Sequence, residues 1–190
     1  MCFNGTRWRS LRVRRSWKYT LLSAVLLCSV AVLAQKEKRE PLTEAQVDQI
    51  REAGIYPNDR INLYTKFLNE HADTIKGLTN RAKSGARSHR LDGELQDFTA
   101  LMDELGSNLD VYSDRKADIR KALKVLTDAT PRWLGILHAL PGESGFDLAR
   151  KEALESEEDL ADQATRLSTE QADYFKLHKD EAGQERAEPK

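Results

Sequence analysis

The chain has 190 residues, 39% of them apolar and 32% charged, enough for one domain with a buried core plus accessory segments. Its net charge of −1 hides an uneven split: residues 1–34 carry Arg7, Arg9, Arg12, Arg14, Arg15 and Lys18 with no acid, a charge of +6, which leaves −7 for the remainder. An acidic body argues against a nucleic-acid binder. With both cysteines, Cys2 and Cys28, in the leader, disulfides and thiolate metal sites are excluded from the body.

The basic stretch followed by the apolar run 21–34 has the order of a secretory signal, and Val32-Leu33-Ala34 before Gln35 suits signal peptidase. The rival reading is an uncleaved membrane anchor, although the stretch from Tyr19 to Ala34, 16 residues, falls short of the ~20 that a spanning helix needs. In either case the positive-inside rule leaves the body outside the cytoplasm, in the periplasm, cell envelope or extracellular space. Residues 1–34 are thus a signal peptide or anchor, and the charged, Pro-terminated 35–42 a linker. Residues 43–180 are expected to form a helical domain and 181–190 a disordered tail.

Thr43 and Gln46 have the spacing of a capping box, and the helix they start carries Val47 and Ile50 inward before stopping at Gly54. After Tyr56-Pro57 a second helix is expected from Asp59 or Arg60 to about Lys83. Its apolar side steps by three and four through Ile61, Tyr64, Leu68, His71, Ile75, Leu78 and Ala82. Residues 83–90 form the connection of an αα-hairpin. A third helix then follows the same rule from Leu91 to Thr127, interrupted at Lys116, with Gly106-Ser107-Asn108 the place for any bend.

Centring the turn between Ala86 and Arg87 pairs Leu78 with Leu95, Ile75 with Phe98, His71 with Met102 and Tyr64 with Leu109. Lys116 then falls opposite Pro57, which makes the first two helices one interrupted rod beside a third of ~55 Å. Thr130-Pro131 ends that rod and opens a short apolar segment containing Trp133, Leu134, Ile136, Leu137 and Leu140. Beyond the turn 141–145, the last helix buries Phe146, Ala149, Ala153, Leu160, Ala164, Leu167 and Tyr174. The expected fold is all-α: an elongated antiparallel bundle of three long rods, the first interrupted near Gly54 and Pro57, plus a short apolar helix.

Four histidines raise a metal hypothesis, but no Glu-x-x-His pair of the di-metal bundles is present, and a lone seam histidine such as His71 reads as a packed side chain. His89 and His178 are the one pair that a three-rod bundle brings to the same end. Gly142-Glu143-Ser144-Gly145 departs from a nucleophile elbow in spacing and follows no strand, so it reads as a turn. Glu152, Glu155, Glu157, Glu158, Asp159 and Asp162 read as a solvated acidic face.

Two features suit an interaction surface. Arg81, Lys83, Arg87 and Arg90 cluster at the turn, where the plain reading is stabilisation of a helix C-terminus. Trp133, Leu134 and Leu137 form either a plug at the bundle base or a partner groove, with the plug favoured. The functional expectation is an exported envelope module, a scaffold or adaptor acting through helix contacts with an unknown protein or with itself. It is expected to have no catalysis, no cofactor and no nucleic acid, and to touch a membrane through the leader if that is retained. The alternative is a small-ligand or metal binder with a cavity around His71, Tyr64 and Met102.

Overall fold

The structure is a computed structural model that describes residues 40–183, so the leader and the last seven residues lie outside it. Five α-helices follow one another: α1 (Glu44–Glu52), α2 (Pro57–Thr79), α3 (Gly85–Asp114), α4 (Arg120–His138) and α5 (Asp147–Leu177). No strand occurs among the described residues. The capping box is formed: Thr43 Oγ1 accepts from the Gln46 amide, and the Gln46 side chain accepts from the Thr43 amide at 2.9 Å. Gly54 takes φ +55°, the left-handed conformation that a glycine adopts without penalty after a helix.

α1 and α2 are not one interrupted rod. Gln46 Nε2 donates to Glu70 at 3.2 Å, so α1 doubles back along α2. Collinear helices would set those residues roughly 36 Å apart at 1.5 Å per residue. The left-handed turn at Gly54 reverses the chain, and α1 buries Ile50.

The expected rod 91–127 also breaks, at Lys116 rather than at Gly106. α3 ends at Asp114 with Lys116 at φ +55°. The Ala117 amide donates to the Tyr112 carbonyl at 3.0 Å and the Lys116 amide to Ser113 at 3.0 Å. These are the two bonds of a Schellman motif, with lysine where glycine is usual. Gly106 continues the helix and instead permits close approach: a Cβ there would stand 3.0 Å from Gln163 Oε1 on α5.

The break turns three long helices into four. α2 and α5 each pack against both α3 and α4. Around the bundle the order is therefore α2, α3, α5, α4, with α3 and α4 on a diagonal. Ser156–Asp103 and Gln163–Asp110 bonds run α5 parallel to α3. Asn58 with Ala122 and Asn69 with Trp133 run α4 parallel to α2.

The hairpin seam meshes, but in another register. The connection is residues 80–84, and Ser84, not a residue near Arg90, caps α3 by accepting from the Arg87 amide. Arg87 meets the Leu78 carbonyl, His71 meets Glu94 and Tyr64 meets Glu104. Each α2 residue thus faces α3 positions five to eight residues nearer the turn than the expected pairing, about one heptad. A seam of regular period fits equally well after such a slide, and the turn chemistry chooses. Of the expected inward residues, Ile61, Tyr64, Leu68, Ile75, Leu91, Phe98, Leu105 and Leu109 are buried, but His71 is half-buried and Ala82 exposed. The buried set also takes in Phe67, Ala72 and Leu101, which the seam omitted.

Pro131 lies inside α4 rather than opening a short segment. It cannot donate to the Thr127 carbonyl, and the Thr130 hydroxyl donates there instead at 3.4 Å. The helix therefore carries Trp133, Leu137 and, just past its end, Leu140 into the core, where the Phe98 and Trp133 rings meet edge to face across the diagonal at 5.9 Å.

Candidate functional site

The apolar half of the expected interaction surface is core. Trp133 is 0% exposed with its indole N–H donating to Asn69 at 2.9 Å, Leu137 is buried and Leu134 is half-buried. The segment is the plug, and its side chains are not available to a partner while the bundle is closed. The continued helix, running through Pro131, brings Trp133 against Asn69 on α2 and Phe98 on α3.

The basic turn divides. Arg81, Lys83 and Arg90 are exposed, while Arg87 is buried. Arg87 Nε donates to the Leu78 carbonyl in the last turn of α2, satisfying a backbone acceptor that the helix end leaves open. Its other nitrogen, Nη1, reaches Glu143 at 2.9 Å, and Lys83 reaches the same carboxylate at 3.2 Å. Burial pushes the Glu143 carboxyl up, but Lys83 and Arg87 outweigh it and hold it below the usual glutamate range. Gly145 sits against α3, where a Cβ would come 2.9 Å from Ser88 Cβ. The 141–145 segment is thus a packed turn, as its composition suggests.

His71 Nδ1 lies 3.0 Å from Glu94, and the Tyr64 hydroxyl donates to Glu104 at 2.6 Å. Burial, reinforced by Glu104, pushes the Tyr64 phenol well above its ordinary range. Met102 lines a separate open groove of about 680 Å³ between α3 and α5, with Asp103, Asp110, Asp159 and Asp162 on its walls. No group of three or more His, Cys, Asp or Glu suited to a metal occurs among the described residues. His89 and His178 do not meet, because His89 is in the first turns of α3 and His178 follows the end of α5, which runs parallel to α3. The fourth long helix reverses α5 relative to a three-rod bundle.

Three functional-looking side chains escaped the sequence reading. Gln171, buried on α5, accepts from the Ile119 amide at 3.1 Å and donates to the Ala117 carbonyl at 2.8 Å. Asn58 accepts from the Ala122 amide and donates to the Asp118 carbonyl. Together they satisfy the backbone of the α3–α4 break from two sides. Asp118, held below the usual carboxylate range by Arg120, also accepts from the Gly183 amide at 2.7 Å, so the expected tail begins tied to the bundle. Glu157 is the third. It belongs to the acidic run read as solvated, yet it is 1% exposed and neither carboxyl oxygen has a hydrogen-bond partner. Burial, with Glu158 beside it, pushes its pKa up to about 7.

Large apolar side chains are exposed singly at Val111, Val125, Leu148 and Leu177, and grouped at the α1–α2 corner. Ile55 is 60% and Tyr56 54% exposed. Val47, expected to point inward with Ile50, is exposed on the adjoining helix because α1 packs against α2 alone among the described helices.

Fold and surface together define a closed helical bundle with a light N-terminal helix laid on its side. Compared with protein-family models, curated proteins and solved structures, the chain matches none.

Proposed function

We propose that the chain is an exported, non-catalytic helical module of the cell envelope that works through contact between helical surfaces, with a protein partner or a second copy of itself. The observation that carries this reading is the α1–α2 corner. Ile55 and Tyr56 stand together in solvent in the turn between α1, which packs on α2 alone among the described helices, and α2. An aromatic beside an aliphatic side chain is the composition of an interface anchor. The basic leader followed by an apolar run supports the export.

A photo-reactive benzoylphenylalanine at Tyr56, in the full chain with its own leader, tests the reading. The expected result is a discrete covalent adduct in the envelope fraction, absent when the same group replaces exposed Lys66 on the flank of α2. No adduct at 56, or equal smears at both positions, contradicts it.

A further inference from the structure

Glu157 occupies an inward position of α5, three residues before Leu160 and four after Ala153, both buried. A carboxylate removed from water with no donor is costly, so such a group stays protonated or forces the structure open. The bonds Ser156–Asp103 and Gln171–Ile119 put it level with Asp103 and Glu104 on α3 and with Arg132 on α4. None of these compensates it. Asp103 accepts from Ser156, Glu104 accepts from Tyr64, and Arg132 is taken by Asn69 and Asp73 on α2. On its own helix the neighbouring charge is Glu158, of the same sign.

The helix that carries Glu157 also packs on α3 and α4 with several small side chains. Its inward side includes Ala149, Ala153 and Ala164, where α3 presents Leu91, Leu95, Phe98, Met102, Leu105 and Leu109. Less apolar area per turn means less to lose on separation. We propose that α5 is a proton-gated arm: it lies closed on α3 and α4 while Glu157 holds its proton, and ionisation of that one carboxyl loosens it. Loosening uncovers the strip of Leu160 and Leu167. This inference stands apart from the α1–α2 corner.

The direction with pH follows from linkage. A carboxyl whose folded pKa is raised keeps its proton after the opened state has lost it. Closure is therefore strongest below the ordinary glutamate range, weakens as pH climbs, and levels off above about 7 once the closed carboxyl ionises too.

Hydrogen exchange read by mass spectrometry on the full chain at pH 5.5 and pH 8, corrected for intrinsic exchange, tests this. Amides of α5 in the native chain should open roughly tenfold or more at the higher pH. E157Q should abolish that difference, and E157L, which removes the polar group altogether, should keep α5 protected at both pH values. If both variants keep the native pH response, or if all four long helices open together rather than α5 first, the proposal is wrong.

Discussion

Gln171 and Asn58 show what single polar side chains do where a helix must break inside a core. Residues 117–119 are buried, and the helix ends on either side leave the Ile119 amide and the Ala117 and Asp118 carbonyls to be met by side chains. Q171L keeps the volume and removes the partners of the Ile119 amide and the Ala117 carbonyl, each a loss of about 1–3 kcal/mol. Urea denaturation should show that drop with an unchanged slope, and an unchanged midpoint would show that Gln171 holds nothing. The signal for such residues was present in the sequence. The expected inward series on α5 jumps from Ala153 to Leu160 and from Leu167 to Tyr174, and each gap of seven skips one position on the same side. Those positions are Glu157 and Gln171, both buried. An apolar tally passes over them because it counts side chains that leave water willingly. The same tally took Tyr174 where Phe175 is the buried ring.

At the scale of elements, Lys116 carried the topology. In the sequence it interrupts a seam of leucines, and a single charged residue on a long helix is compatible with a solvated bulge. The structure makes it the C′ residue of a Schellman motif, a place where the left-handed backbone penalises any side chain. K116G should therefore stabilise the bundle by about 0.5–1 kcal/mol, measured as a higher thermal midpoint. The gain is trimmed by loss of the contact between Lys116 Nζ and the Tyr174 ring at 5.8 Å. A lower midpoint would mean that the contact outweighs the backbone term. Pro131 misled in the opposite sense. It reads as a helix start, but Thr130 supplies the bond that proline lacks, and α4 runs through. Which local signal wins depends on what packs around it, and a lone chain segment does not display that.

Across the whole molecule, the inward faces of the hairpin were legible because a three-and-four period fixes them in any register. The register itself and the number of long helices were not, since a heptad slide keeps apolar face on apolar face and one break changes the direction of all that follows. With four long helices, α5 begins beside the residue 80–84 turn and ends at the far end of the bundle. Arg87 thereby becomes a buried clamp between helix ends, and the partner surface proposed above lies at the α1–α2 corner. One distance separates the alternatives. Spin labels on cysteines replacing His89 and His178, in a chain with Cys2 and Cys28 changed to serine, report it by double electron–electron resonance. Four helices in the order described place the labels on the order of 50 Å apart at 1.5 Å per residue along parallel α3 and α5. A separation under about half of that would put both residues at one end and contradict the architecture on which the site, the gate and the proposed mode of action rest.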